Sequence, residues 1–211
     1  MEQFQKTLKG EISFEGEGIH TSCYSRVTLK PASESTGYLF IKKTGSKSIN
    51  IPARLSCVKN AEYCTTLSNE GEDIHTVEHI LSALYALSID NAFIEIEGEE
   101  VPYLDGSARP FIEKILEAGT VTQHAPKKYF FLDRNLRYEH PVKKVEILAT
   151  PYDELRVTVL IDFDTEFRIT QYGEMYSLGE YVEKIGSARS FVLLSDILRL
   201  CLLYTSDAAD E

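Results

Sequence analysis

Two histidines and a glutamate stand within five residues in the segment His75-Thr76-Val77-Glu78-His79. On a helix, residues three and four apart share a face, so these three side chains could point toward one place in space. Neutral imidazole nitrogen binds zinc, and a neighbouring carboxylate that does not bind the metal can take a proton from metal-bound water. The residue types and their spacing therefore indicate metal-assisted hydrolysis.

The residues alone leave three interpretations of this segment open. In the first, His75 and His79 both bind zinc and Glu78 is the base, which matches the zinc-protease motif H-x-x-E-H. In the second, His79 alone binds the metal and Glu78 is the base. In the third, the segment is the start of an ordinary helix with solvated polar side chains, because short motifs also match by chance.

The elements that would position these residues follow from the hydrophobic pattern. Alternation predicts strands before residue 70, and a three- and four-residue period from Thr76 predicts an amphipathic helix that ends at Ser88–Asn91. A second helix is expected from Phe111 to Gly119, with Pro110 at its first position. The strand segments are SRVTLKP, GYLFIKK, SINIPARL and, after the first helix, AFIEIEG.

The pattern then begins again after TQHAPKK. Three more strands are expected in YFFLDRNLRYE, VKKVEILATP and LRVTVLIDF, followed by helical segments in SLGEYVEKIG and FVLLSDILRL. Strands followed by helices, twice, predict an α+β protein of two units with a boundary around residues 121–127.

Composition excludes several classes of function. The formal charge of −11 and the lack of a basic stripe argue against a broad nucleic-acid surface. No segment is long and apolar enough for a membrane span, and the N-terminus has no signal-peptide core. The cysteines are scattered without a CxxC pair, which indicates reduced thiols in a cytoplasmic protein. They are Cys23, Cys57, Cys64 and Cys201.

Four ordered motifs carry a resemblance to a known family. The segment TVEHILSALYALSIDNAFIEIEG, with GEGIHTS before it and VPYLDGSARPF and SARSF after it, resembles the zinc-dependent UDP-3-O-acyl-N-acetylglucosamine deacetylases of lipid A biosynthesis. The resemblance runs from about Thr7 to about Leu194. It implies two layered α/β-sandwich domains with the active site between them, assigned here to residues 1–123 and 124–200. It also implies a zinc cofactor, a UDP-linked acylated amino sugar as substrate and, in some relatives, a fused hydroxyacyl-carrier-protein dehydratase domain.

The resemblance also assigns roles to individual residues. It implies that Glu78 is the general base and that His79 is one of three zinc ligands, which leaves His75 without a metal-binding role. Ser190 stands where the family has a threonine whose hydroxyl binds the reacting carbonyl oxygen, and serine keeps that donor. The remaining family positions are Phe191 in the lipid passage, Phe163 and Lys143 at the nucleotide, His20 on a loop near the substrate and Cys64 near the metal.

Simpler structural roles compete with several of these assignments. Phe191 could be a core residue, Cys64 a small buried filler, and His20 part of a loop held by hydrogen bonds. Phe163 and Lys143 are residue types that are common on strands and surfaces. Asp105 precedes a glycine and is expected to stabilise its own turn.

The family takes its other two zinc ligands from a His-x-x-x-Asp motif. None of the five histidines here has an aspartate four residues later. A catalytic zinc site needs three protein ligands, so one imidazole is expected to leave the chain inactive as given. We therefore interpret the sequence as a truncated form with an incomplete second domain, and residues 201–211, CLLYTSDAADE, as a non-native tail. The histidines are His20, His75, His79, His124 and His140.

Overall fold

The computed structural model describes residues 3–45, 47–163 and 169–191. It is a mixed α+β structure, 43% strand and 17% helix, so the predicted fold class is confirmed. The strands in chain order are β1 (Phe4–Leu8), β2 (Ile12–Glu17), β3 (Tyr24–Pro31), β4 (Tyr38–Thr44), β5 (Lys47–Pro52), β6 (Val58–Asn60), β7 (Thr66–Asn69), β8 (Glu72–Ile74), β9 (Ala92–Glu97), β10 (Thr120–Pro126), β11 (Leu136–Glu139), β12 (Glu146–Ala149), β13 (Val157–Phe163) and β14 (Ile169–Met175).

A five-stranded sheet with the order β2-β3-β9-β4-β5 forms the centre of the fold. Its neighbours are antiparallel except for β4 and β9, which are parallel. A three-stranded sheet, β6-β7-β8, lies next to the segment that leads into the first helix. Three two-stranded ribbons complete the described strands: β1 with β10, β11 with β12, and β13 with β14.

Two α-helices pack against this framework, α1 (Glu78–Ala86) and α2 (Arg109–Ala118). They bury apolar side chains at three- and four-residue steps, such as Ile80, Ala83 and Leu84 of α1. α2 ends at Gly119, as predicted, where a φ of +77° suits glycine. Shorter helical turns follow β14, a 3₁₀ turn at Leu178–Glu180 and a π-helical turn at Tyr181–Ile185.

The first helix begins later than the hydrophobic period predicts. Thr76 has a φ of +59°, in the left-handed region, so the α-helix starts only at Glu78. His75 is consequently outside the helix. This difference bears directly on the H-x-x-E-H interpretation.

The buried core residues that the structure describes form one cluster within the first 115 residues. Its fully buried side chains lie between Leu8 and Ile115, and Tyr181 and Val182 pack against it from the later turns. TQHAPKK, which the sequence suggested as a boundary, contributes to β10 and pairs with β1. The division into domains 1–123 and 124–200 stays a prediction.

The remaining predictions concern the helices and the tail that follow β14. The helix expected in SLGEYVEKIG is present as the 3₁₀ and π turns. The helix expected in FVLLSDILRL and the proposed tail at residues 201–211 lie outside the described residues, apart from Phe191. None of the described helices has the length and apolar character that crossing a membrane requires.

Candidate active site

Glu78 is the first residue of α1, and its carboxylate is fixed by a backbone donor. The N–H of Thr65, which immediately precedes β7, donates to Glu78 Oε2 at 3.0 Å. The positive end of the helix dipole also favours a negative charge in this first turn. The side chain is half-buried, so it is held in place and still reaches solvent. A general base needs both properties.

His79 meets a residue from the far end of the described chain. Its Nε2 lies 3.1 Å from the hydroxyl oxygen of Ser190, although 111 residues separate the two in sequence. His79 is half-buried and Ser190 is exposed. The structure therefore brings Glu78, His79 and Ser190 to one end of α1.

A glycine turn holds Ser190 beside the helix. The N–H of Ser190 donates to the carbonyl oxygen of Gly106 at 3.1 Å. Gly106 has a φ of +82°, and a Cβ there would lie 2.4 Å from the hydroxyl oxygen of Tyr103, so only glycine suits this turn. Asp105 supports the turn as predicted, since its Oδ1 accepts the N–H of Ser107 at 3.0 Å.

The pKa of Asp105 reflects this local role. Burial acts to raise it, but the hydrogen bonds from Ser107 and the charge of Arg189 outweigh burial and lower it below the ordinary value. Asp105 is therefore an ionised turn residue that also faces the segment carrying Ser190.

The helical turns after β14 dock this segment onto α1 and α2. The hydroxyl of Tyr181 donates to Ser82 Oγ on α1 at 2.8 Å. Gly186 packs so closely on α2 that a Cβ there would lie 2.6 Å from Ile112 Cδ1. These two contacts hold the turns that precede Ser190 against α1 and α2.

His75 is held by a different set of contacts. Its N–H donates to the carbonyl oxygen of Glu99 at 2.9 Å, and its own carbonyl oxygen accepts the N–H of Val101 at 3.1 Å. Its Nδ1 lies 3.0 Å from the hydroxyl oxygen of Thr66. Because His75 precedes the helix, it does not share a helical face with Glu78 and His79, and the geometry assumed by the protease interpretation is absent.

The loop that carries His20 is anchored on Glu100. The backbone N–H groups of Ile19, His20 and Thr21 all donate to the Glu100 carboxylate, at 2.8 to 3.2 Å. The hydroxyl of Thr76 donates to the same carboxylate at 2.6 Å. His20 itself is exposed, and Glu100 links its loop to the residues just before α1.

The other predicted site residues are dispersed. Cys64 is a half-buried free thiol whose sulfur lies 3.8 Å from Thr66 Oγ1. Phe191 is 60% exposed and follows Ser190 directly. Lys143 is exposed in the turn between β11 and β12, where its N–H donates to His140 Nδ1 at 2.9 Å. Phe163 ends β13, and its side chain lies outside the described part of the chain.

A complete zinc site is not formed by these residues. No cluster of three or more His, Cys, Asp or Glu side chains that could hold a metal occurs in residues 3–45, 47–163 and 169–191. A catalytic zinc needs three protein ligands and an open fourth position. The described residues therefore offer His79 as a donor but do not fit a bound catalytic metal.

Sequence reasoning missed the residues that hold the site together. Thr65, Thr66 and Glu100 act through hydrogen bonds across the fold, and none belongs to a local motif. No local signal in the sequence indicates Glu100, because its donors include residues up to 81 positions away.

Comparison with known proteins gives a consistent family. The sequence model of LpxC, UDP-3-O-acyl N-acetylglycosamine deacetylase, matches residues 5–202. The chain is 38% identical over 194 residues to a bifunctional LpxC/FabZ enzyme of Chlorobaculum tepidum, covering 92% of this chain and 42% of the relative.

Two relatives with a single activity in their names give the same result. The chain is 36% identical over 197 residues to the UDP-3-O-acyl-N-acetylglucosamine deacetylase of Actinobacillus succinogenes. It is 39% identical over 196 residues to the protein of the same name from Pseudomonas entomophila. Each match covers 92% of this chain and 64% of the relative, so the chain spans less than two thirds of the relatives' length.

Proposed function

Because this chain belongs to the UDP-3-O-acyl N-acetylglycosamine deacetylase family, we propose that it forms part of a deacetylase acting on UDP-3-O-acyl-N-acetylglucosamine in lipid A biosynthesis. The observation that carries the proposal is the contact between His79 and Ser190 at the start of α1, where Glu78 is the adjacent residue. Metal-assisted amide hydrolysis uses a general base, a side chain that binds the metal and a hydroxyl that donates to the carbonyl oxygen. These three residues offer those groups.

Each of these residues has a distinct role in the proposal. Water adds to the N-acetyl carbonyl carbon while Glu78 takes its proton. The Ser190 hydroxyl donates a hydrogen bond to the carbonyl oxygen as negative charge develops there. The carbon–nitrogen bond then breaks, acetate forms, and the amine leaves with a proton from Glu78.

Zinc is the cofactor that the family implies, and His79 is the residue that would bind it. Bound zinc would make water a strong nucleophile near neutral pH. Since the described residues offer no complete zinc site, we propose that the 211-residue chain does not hold catalytic zinc and is inactive by itself.

Calorimetric titration of the full chain with zinc chloride tests this part of the proposal. Only weak binding is expected, because one imidazole cannot provide the affinity of three ligands. His79→Ala should remove that weak binding, whereas His124→Ala should leave it unchanged. Tight one-to-one zinc binding by the unmodified chain would contradict the proposal.

A chimera tests the catalytic assignments. In the Pseudomonas entomophila deacetylase, the 196-residue stretch that matches this chain is replaced by the chain's own residues. The chimera should release acetate from UDP-3-O-acyl-N-acetylglucosamine, and Glu78→Gln should reduce turnover by about 10²- to 10⁴-fold with zinc content retained. His75→Ala is the matched control and should keep both zinc and activity.

The outcomes separate the alternatives. A zinc protease of the H-x-x-E-H type would lose its metal with His75→Ala. A noncatalytic sugar-nucleotide binding module would bind a uridine nucleotide without metal and be indifferent to Glu78→Gln. A folded, zinc-loaded chimera that releases no acetate would refute the deacetylase proposal.

The proposal extends to substrate contacts and partners. Phe191 lies next to Ser190 and would contact the acyl chain, and His20 and Cys64 would lie near the reacting group. Phe163 and Lys143 would contact the nucleotide by stacking and by charge. The bifunctional names of some relatives support a dehydratase domain as a partner in the same polypeptide. Free thiols at Cys23, Cys57 and Cys64 support a reducing, cytoplasmic location.

A further inference from the structure

Glu100 is a buried carboxylate with an unusually complete set of donors. Its residue is 1% exposed. Its two oxygens accept the N–H groups of Ile19, His20 and Thr21 and the hydroxyls of Thr21 and Thr76, at 2.6 to 3.2 Å. A buried charge is tolerated only when it is compensated in this way. Glu100 is therefore firmly fixed and joins two segments that are distant in sequence.

On one side, Glu100 holds the loop that carries His20. Three successive backbone N–H groups converge on the carboxylate, as in an anion-binding nest. Gly18 approaches so closely that a Cβ there would lie 2.1 Å from Glu100 Oε2. The loop backbone is consequently shaped around this one side chain.

On the other side, Glu100 holds Thr76 in a strained conformation. A φ of +59° is uncommon for a β-branched residue, and such strain persists only where surrounding contacts impose it. The buried hydroxyl of Thr76 donates to Glu100 Oε1 at 2.6 Å. Thr76 stands two residues before Glu78, so its backbone direction decides where the helix begins.

The contacts continue from Thr76 to the Glu78 carboxylate. The N–H of Val77 donates to the carbonyl oxygen of Thr65 at 3.4 Å, and the N–H of Thr65 donates back to Glu78 Oε2 at 3.0 Å. The backbone of Thr65 therefore contacts the segment Val77–Glu78 on both of its sides. If Thr76 relaxes, the hydrogen bond between Thr65 and Glu78 should weaken.

We propose that Glu100 is a positioning residue that fixes the Glu78 carboxylate through Thr76 and holds the His20 loop against the same site. The inference rests on the proposed function, since it takes Glu78 as the base. Glu100 touches no reacting atom. It determines the geometry from which the base acts.

Two-dimensional ¹H–¹⁵N NMR of the full 211-residue chain tests the proposal. Glu100→Gln keeps the shape of the side chain but replaces one acceptor oxygen with an NH₂ group. The amides of Ile19, His20 and Thr21 should exchange on the order of tenfold faster. The Thr65 amide proton should also move upfield and exchange faster, because its acceptor is displaced.

Glu99→Gln is the matched control. It removes the same charge from the adjacent, exposed residue and should leave all four amides unchanged. If Glu100→Gln frees the loop amides and leaves the Thr65 signal and exchange rate as in the wild type, Glu100 anchors only the loop and the proposal is overturned.

Thr76→Val provides a second variant in case Glu100→Gln does not fold. It keeps the branched shape and removes only the hydroxyl that bonds Glu100. The Thr65 signal should move, and the exchange of the Ile19–Thr21 amides should change less than about twofold, because their acceptor remains. An unmoved Thr65 signal would overturn the proposal. These readouts need neither metal nor turnover, so they can fail or succeed independently of the deacetylase assignment.

Discussion

Two glutamates near the start of α1 use their oxygens differently. The Glu100 carboxylate is buried and accepts donors from four residues, which occupies the lone pairs of both oxygens. Glu78 is half-buried and accepts the N–H of Thr65 through Oε2. A base must have room to accept a proton, so Glu78 suits that role, and Glu100 suits a fixed one.

The pH dependence of stability should reveal the fixed role of Glu100. Burial acts to raise its pKa, but hydrogen bonds from Thr76, Thr21 and the His20 N–H outweigh burial and lower it below the ordinary value. Its stabilisation is therefore fully present above the unfolded pKa of about 4.3 and is lost as the pH falls through the folded pKa. Glu100→Gln should lower the free energy of unfolding at pH 7, and its difference from the wild type should shrink below pH 4.

Urea unfolding from pH 7 to pH 3 measures this effect. Asp73, Glu95 and Asp105 also have lowered pKa values, but they are present in both proteins and cancel in the difference. Glu99→Gln should show no such pH-dependent loss. A constant difference between Glu100→Gln and the wild type across this range would argue against an ionised, stabilising Glu100.

The sequence identified the site residues that belong to motifs and missed those that act through contacts distant in sequence. His79 and Glu78 are adjacent in a recognisable pattern, and Ser190 was reached only through the family resemblance. Glu100 takes its donors from residues up to 81 positions away, so no local spacing indicates it. Thr65 acts through its backbone N–H, and the type of its side chain gives no indication of that hydrogen bond.

Among the elements, the start of α1 shows how tertiary contacts override a periodic pattern. The apolar period that includes Val77 and Ile80 was correctly interpreted as helical, but Thr76 is left-handed and the helix starts at Glu78. Four strands of the central sheet, β3, β4, β5 and β9, coincide with segments that the alternation predicted, whereas β2 lies outside them. In contrast, the exposed strands β11 and β12 are short parts of the segments that the pattern suggested.

The turn at Gly186 should be sensitive to a single added methyl group. Gly186→Ala would place Cβ 2.6 Å from Ile112 Cδ1, and overpacking of this kind costs about 1–3 kcal/mol. Gly186 stands four residues before Ser190, whose hydroxyl contacts His79. The imidazole signals of His79 should therefore also shift in long-range ¹H–¹⁵N spectra. Gly179→Ala is the matched control, since its Cβ would lie 3.8 Å from Ser177 Oγ, an ordinary contact.

Thermal unfolding and the His79 spectrum would together decide whether the turn at Gly186 positions Ser190 beside His79. Gly186→Ala should lower the melting temperature and move the His79 signals, whereas Gly179→Ala should do neither. A destabilised Gly186→Ala variant with unchanged His79 signals would mean that Ser190 is positioned by its bond to Gly106 rather than by the docked turn.

In the molecule as a whole, the ribbon of β1 and β10 pairs the strand at the start of the chain with the strand that follows α2. β10 lies where the sequence suggested a boundary, and its pairing with β1 spans more than 110 residues. Such pairing has no local signature, because its stabilising contacts form only when the rest of the fold is in place. Composition and periodicity therefore predicted the fold class. They do not predict the pairing of β1 with β10, which involves buried polar contacts between residues distant in sequence.

Asn91 is buried beside this ribbon and bonds to both of its strands, so its loss should destabilise the chain. Its residue is 1% exposed, and its side-chain amide accepts the N–H of Gly37 and donates to Gln5 of β1 and Gln123 of β10, at 2.8 to 2.9 Å. Asn91→Ala leaves these buried groups without partners, so urea unfolding should show a loss of about 2–4 kcal/mol. Asn50→Ala, at an exposed position, should change stability by less than about 0.5 kcal/mol. A loss below about 1 kcal/mol in Asn91→Ala would mean that the ribbon is held mainly by its backbone ladder, because a buried donor left unpaired costs at least that much.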